Sequence, residues 1–437
     1  MKIKWTTLLR AIRLYLVIAG GLLVPVATQA AEAKKLGDLR GVHQADFNHD
    51  GSRVIVHPRN ESVGIWEVST GKRLTGDLKP NTAFERYLIS ADAKMVLVGF
   101  KEGGSRMFDA ATAKAISPML DVPLLGSFQA PGVFSPTGDT ILIFAEKKAV
   151  VFSIRSGKRI ATIPLEPGPD AQEPGSAAFT AGGAHCLLMD GGGTVTRYDT
   201  RDWKPIGKPM KHPPADLAYN FAFNASDDGK WLVTFDNPGE NGPDAHLQVW
   251  DAAANTPIGE PVVARNGFIG RILGGNRVLI LSGSGEATVR DLPSMTLAYT
   301  LRSHSNSYEP SVDVSPDSKW ILAWGPDRVL DLVDAASGKL ATYHNSSAMV
   351  KKVMMAPDSS ACYVVYDNSA FEDQKHYDYY LIKMTFPELK ITDSLRTLDS
   401  SLSSSLSPDG KRLLILQGKD EQERILFVDP ANLKPLK

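Results

Sequence analysis

Cysteine is almost missing from this chain: Cys186 and Cys362 are the two in 437 residues. A disulfide-stapled fold is excluded, since at most one bridge could form. An excess of basic charge is missing too. Lysine and arginine number 48 against 49 aspartate and glutamate, which argues against a nucleic-acid partner, because a phosphate backbone demands a basic stripe. Outside the first 30 residues no apolar run is long enough to span a bilayer. Local signatures of chemistry are absent as well. There is no Gly-x-Ser-x-Gly elbow, no His-Glu-x-x-His and no Walker loop.

The first 30 residues are of a different kind. Lys2, Lys4, Arg10 and Arg13 precede an apolar run from Leu14 to Val26, and the small-residue stretch Ala27-Thr28-Gln29-Ala30 follows. This pattern predicts a secretory signal peptide over 1–30, cleaved after Ala30. Gly20, Gly21 and Pro25 interrupt the run, which makes it a poor anchor. No cysteine stands near the cleavage point for lipid attachment. The expected mature chain, 31–437, carries a net charge of −5. Its expected location is the periplasm or the extracellular medium, with no membrane span after cleavage.

What is abundant is repetition. An apolar residue, a polar turn and a short all-apolar strand recur nine times, with turn starts at Phe47, Ile89, Phe134, Phe179, Phe223, Ile272, Val314, Met355 and Leu406. The spacings run from 41 to 51 residues, the period of a four-stranded propeller blade. Seven residues beyond each start stands Val54, Val96, Ile141, Cys186, Leu279, Ile321, Cys362 or Leu413. Leu232 takes this place in the fifth repeat, after a two-residue insertion. The following position is apolar in every repeat. A strand apolar on both faces lies in the interior, covered on each side.

A second strand ends in a recurring pair: Trp66-Glu67, Phe108-Asp109, Phe152-Ser153, Tyr198-Asp199, Trp250-Asp251, Arg290-Asp291, Val333-Asp334, Lys383-Met384 and Val428-Asp429. Turns such as Thr70-Gly71-Lys72 and Ser337-Gly338-Lys339 follow, where glycine allows the positive φ of a tight hairpin. The segments Phe134-Ser135-Pro136-Thr137-Gly138, Val314-Ser315-Pro316-Asp317 and Leu406-Ser407-Pro408-Asp409-Gly410, with Trp250-Asp251, resemble the bacterial exported WD-repeat-like β-propellers. The resemblance covers about residues 42–437. It implies an all-β chain forming a single propeller of four-stranded blades. The Gly-His pair of strict WD repeats is missing, and the second, fourth and sixth turns are degenerate. Nine repeats predict eight or nine blades in one ring, with two smaller propellers as a further arrangement.

The segment Ala33–Leu39 echoes Gly71–Leu78, an outer strand by position, yet has no repeat before it. It is expected to pair near Ile425–Val428 and latch the last blade; the rival for that place is Leu433–Leu436. Cys186 and Cys362 hold equivalent core positions four repeats apart, too distant to bridge, so both are expected as buried free thiols. His212, His304 and His344 stand 10 or 11 residues before a turn start, where strict WD repeats place a structural histidine. Asp46–Gly51 matches half of a calcium loop, but its twelfth position is His57 rather than a bidentate acid. No metal or cofactor is expected.

Loop lengths are unequal. Long segments fall between second and third strands, at Asn237–Ala245 and Asp367–Tyr379. Others lead into new repeats, at Pro164–Ser176, His212–Tyr219, Arg302–Pro310 and Thr392–Ser404. In a propeller both loop types leave one face, and variable loops on a rigid frame are where binding residues gather. The expected contacts are Tyr308, Glu309, Phe371, Lys375, His376 and Tyr377. The sequence thus predicts a monomeric, non-enzymatic scaffold that binds a protein or peptide on this face. The alternative, by likeness to other propellers, is a lactonase-like hydrolase with its site at the central opening. A quinone-cofactor propeller ranks below both, because the tryptophans do not recur in register.

Overall fold

The computed structural model describes residues 15–16, 24–25, 42–48, 50–58, 63–74, 87–100, 104–124, 132–145, 147–167, 175–180, 182–213, 220–226, 228–237, 244–264, 268–274, 276–283, 285–302, 304, 311–325, 327–346, 348–367, 378–398, 401–417 and 424–436. Tyr15–Leu16 pairs with Val24–Pro25 inside the expected leader. The remaining strands form nine successive antiparallel sheets, one per repeat. The ring therefore has nine blades. Blade three is representative, with strands Gly132–Phe134, Thr140–Ala145, Lys148–Ser153 and Arg159–Pro164 in sequential order. In blades one and two the fourth strand is reduced to bridges, Trp66 with Arg73 in one and Phe108 with Ala115 and Ser105 with Leu120 in the other.

The double-apolar columns explain this architecture. Val54 and Ile55, Val96 and Leu97, Ile141 and Leu142, and Leu413 and Leu414 are all fully buried. Their two faces serve two neighbouring blades. Leu142, Phe144 and Val151 of blade three pack with Cys186, Leu188 and Trp203 of blade four. Each sheet is thus covered on both sides by other sheets. First strands of neighbouring blades touch, while fourth strands such as Arg159–Pro164 are largely exposed. The first strands consequently line the centre and the fourth strands form the rim.

The polar turn between first and second strands is built on one side chain. Ser315 Oγ accepts from the Trp320 amide at 2.9 Å and donates to Asp317 at 2.7 Å. Ser90, Ser226 and Ser407 repeat both bonds with Asp92, Asp228 and Asp409. The recurring aspartate that closes the third strand also has a fixed task. Asp109, Asp251, Asp334 and Asp429 accept from backbone amides two or three residues ahead and so cap the next hairpin. Gly338 in that hairpin has φ +71, and a Cβ there would lie 2.2 Å from the Tyr299 ring.

Strand register corrects three sequence alignments. In blade five Ala225, not Phe223, pairs with Leu232, so the supposed insertion precedes the turn. In blade six Val278, not Leu279, faces Ile272 and Arg290, because that turn is one residue shorter. In blade eight Cys362 faces Met384, which makes Met384-Thr385 the equivalent pair. Closure is also corrected. The edge beside Phe427–Asp429 is taken by the chain's own end: Pro435 pairs with Val428, Lys434 with Asp429, and the Leu436 amide donates to Phe427. The predicted latch, Ala33–Leu39, lies outside the described residues. What joins the ring ends is packing of Val42, Phe47, Val54 and Val56 on Leu414, Leu416, Ile425 and Phe427. Among the described residues no helix is long and apolar enough to cross a membrane.

Candidate functional site on the long-loop face

Four antiparallel strands in sequence put the first and third connections of every blade on one face. The second connection and the link to the next blade emerge on the other, which is the long-loop face. The described residues there are the feet of the loops. Buried polar networks tie each loop entering a blade to that blade's own second connection.

The clearest network holds the loop entering blade five. His212 is buried, its Nδ1 2.7 Å from Thr234 Oγ1. Thr234, itself buried, accepts the Trp250 indole N–H at 2.9 Å. His212 Nε2 stands 3.6 Å from Asp236 Oδ2, and Asp236 has no exposed side-chain surface. The other Asp236 oxygen accepts the His246 amide at 2.6 Å, across the mouth of the second connection. One histidine thus joins two loop feet to the tryptophan of the recurring pair.

The loop entering blade seven is fixed differently. His304 Nδ1 lies 2.9 Å from Asp327 Oδ2, and its Nε2 3.5 Å from Asp331 Oδ2. Asp331 is buried and also bonds Arg302. Burial alone would lower the His304 pKa, but the bonds and charges of Asp331 and Asp327 outweigh it and raise it above the usual imidazole value. His344, the third predicted histidine, packs edge-on against Tyr366 with ring centroids 6.0 Å apart. Burial pushes its pKa down. In blade eight Lys351 Nζ approaches Asp367 Oδ2 at 3.5 Å, at the root of the longest insertion. In blade four the Gly191 amide donates to the Glu166 carbonyl, and burial, helped by the Glu166 charge, raises the pKa of Asp190.

The six residues expected as contacts, Tyr308, Glu309, Phe371, Lys375, His376 and Tyr377, lie outside the described residues. Their loops spring from adjacent blades on this face. One is rooted at Arg302 and His304, the other between Asp367 and the strand Asp378–Thr385. Sequence reasoning found the three histidines through their distance from the turn. It missed Asp236, Asp327 and Asp331, because the second connections vary in length and set no fixed offset for their acids.

The central opening is lined by side chains at one register position of the first strands: Asp46, Leu88, Val133, Ala178, Asn224, Arg271, Asp313, Met354 and Ser405. Blades two to four contribute apolar residues, and the other blades mostly polar ones. Several polar groups bridge to the next blade. Asn224 accepts the Ile272 amide at 2.9 Å, and Lys352 donates to the Ser404 carbonyl. Tyr87 donates to Asp46 at 2.6 Å. Asp50 accepts the Ser52 amide, so two acids of the calcium-like segment serve blade contact and turn. Among the described residues no group of three or more His, Cys, Asp or Glu is placed to hold a metal. Cys186 and Cys362 are buried free thiols in blades four and eight, with pKa values raised by desolvation.

No family profile matches the chain, and no curated protein sequence does. Solved structures match by shape. A crystal structure of the eukaryotic initiation factor aligns with a TM-score of 0.64 at 12 % identity, over 86 % of this chain and 94 % of that one. The C-terminal WD40 domain of Sif2 aligns with a TM-score of 0.51 at 13 % identity, over 90 % of this chain and 98 % of that one. At such identities the likeness is one of fold: this is a WD40-like propeller.

Proposed function

We propose that this protein is an exported, non-enzymatic propeller that binds a protein or peptide on its long-loop face. One observation carries the reading. The unequal loops all leave one face, and their feet are locked by buried networks centred on His212, His304 and Asp367. Rigid feet under variable loops present a shaped surface at low entropic cost of ordering. WD40 propellers commonly bind proteins, and the chain is spent on blades with no further domain in 42–436. The basic, apolar and small-residue run of the first 30 residues supports export. The hydrolase alternative would need acids and histidines free at the central opening. The described acids there, Asp46 and Asp313, are engaged with Tyr87 and with the Val314 amide.

The test is capture from an envelope extract with residues 31–437 as bait. A second bait replaces Asn368–Tyr377 by a short Gly-Ser turn. A partner held by the first and lost by the second supports the reading and locates the face. Absence of any partner with both counts against it, and retention by both moves the site to another loop.

A further inference from the structure

The fourth strands are the outer edges of nine sheets, and a bare edge is a template for another strand. Most of these edges carry a deterrent. Seven blades open the fourth strand with an exposed lysine: Lys72, Lys114, Lys158, Lys204, Lys339, Lys390 and Lys434. A charge at an edge discourages strand addition. Blade five has Thr256 at this place, but Pro257, Glu260 and Pro261 follow in the same strand, and proline offers no N–H. Blade six has neither device. Its fourth strand, Thr296–Thr300, reads Thr-Leu-Ala-Tyr-Thr, and Leu297 is 55 % exposed. The flanking rims are apolar too, with Val263, Leu340 and Tyr343 exposed on blades five and seven.

We propose that blade six is a self-association edge, through which two copies of this chain join by antiparallel pairing of Thr296–Thr300 about a two-fold axis at Ala298. A strand that meets its own copy across a two-fold axis is necessarily antiparallel to it. In this register Thr296 faces Thr300 of the second copy and Leu297 faces Tyr299. Threonine pairs and aliphatic–aromatic pairs are favourable cross-strand neighbours. Ala298, the smallest residue of the five, stands at the axis. It is also the extra residue of a bulge, since Val289 faces Tyr299 and Arg290 faces Leu297. Charge selects the direction. Asp291 faces Thr296 on the third strand, and Arg302 lies two residues beyond Thr300. Both side chains are 46 % exposed, although each keeps a partner within the chain, Arg277 and Asp331. Antiparallel pairing brings the acidic end of one strand to the basic end of the other. Parallel pairing would set like charges together. This departs from the monomer expected from the sequence.

Sedimentation equilibrium of the full chain is expected to show a reversible dimer. Leu297→Lys places on blade six the kind of charge its sister blades carry, at an exposed position. It should weaken association about tenfold or more while leaving the melting temperature unchanged. Ala298→Cys should cross-link the dimer on mild oxidation, because antiparallel neighbours across the axis are within disulfide reach and the native cysteines are buried. Thr256→Cys, on the protected edge of blade five, should not. The proposal requires both the loss with Leu297→Lys and the cross-link at Ala298. A monomer at every concentration, or a dimer that lacks either response, overturns it.

Discussion

Phe47 of blade one and Phe427 of blade nine lie with ring centroids 5.8 Å apart and planes inclined at 47°. The two residues are separated by almost the whole chain, and both are buried. Because the ends of the described ring meet through side chains rather than a shared sheet, this pair is a clasp. Arg412 reinforces it by donating to the Gly51 carbonyl across the same seam.

Opening the clasp should therefore cost more than an ordinary cavity. Phe427→Ala is expected to destabilise by about 3–5 kcal/mol, as for large-to-small core changes. Hydrogen exchange should rise first in blades one and nine. Uniform exchange across all nine blades would show that the seam is no weaker than any other blade contact. Chemical denaturation followed by exchange mass spectrometry makes the measurement.

The indole of Trp250 should matter through its N–H. Trp250→Phe keeps the ring bulk but leaves Thr234 Oγ1 without that donor in a fully buried site. The expected loss is about 1–2 kcal/mol. Trp66→Phe is the comparison, since Trp66 stacks under Arg73 instead and should lose less. Urea midpoints of the two variants decide the matter.

His304 predicts a dependence on pH with a definite sign. Its folded pKa is raised, the bonds to Asp331 and Asp327 outweighing burial. The stabilisation is thus fully present below the unfolded value of about 6.5 and is lost as pH rises through the higher folded value. His304→Gln should lower the melting temperature most at pH 6 and progressively less toward pH 9. His344 acts in the opposite sense, since burial lowers its pKa. Protonating it as pH falls below about 6.5 works against the fold, so His344→Gln should gain relative stability there. Melting curves of both variants from pH 5 to 9 test the two signs together.

The turn aspartates govern the acid limb. Side-chain hydrogen bonds from Ser226, Ser315 and Ser360 hold Asp228, Asp317 and Asp358 below the usual carboxylate range. Each contributes stability that is present above about pH 4 and is lost as pH falls through the depressed folded value. These groups are near the surface, so each effect is small and the sum is what counts. The melting temperature should fall steadily below pH 4. Ser315→Ala should remove part of that slope as well as the bond to the Trp320 amide. An unchanged slope in this variant would show that the turns do not set acid sensitivity.

Much of the fold was legible because burial imposes a pattern that needs no coordinates. Val96 and Leu97, or Ile141 and Leu142, had to be covered on both faces, and nine such pairs at one period had to stack. The errors fell where register depends on pairing. Phe223 looked like a turn start because it is apolar, yet the Ser226 turn fixes Ala225 in that place. The candidate site was legible at its histidines, which keep a constant distance from the turn. It was illegible at Asp236, Asp327 and Asp331, which reach them across connections of unequal length.

The sequence by itself determined the strand type, the number of repeats and the polar turns, since these depend on neighbours a few residues apart. Tertiary structure alone decided that nine blades close one ring. Closure rests on contacts such as Phe47 with Phe427, between residues whose order in the chain says nothing of their meeting. It also decided the partners of His304, because a buried imidazole takes whichever carboxylates the folded loops bring within reach.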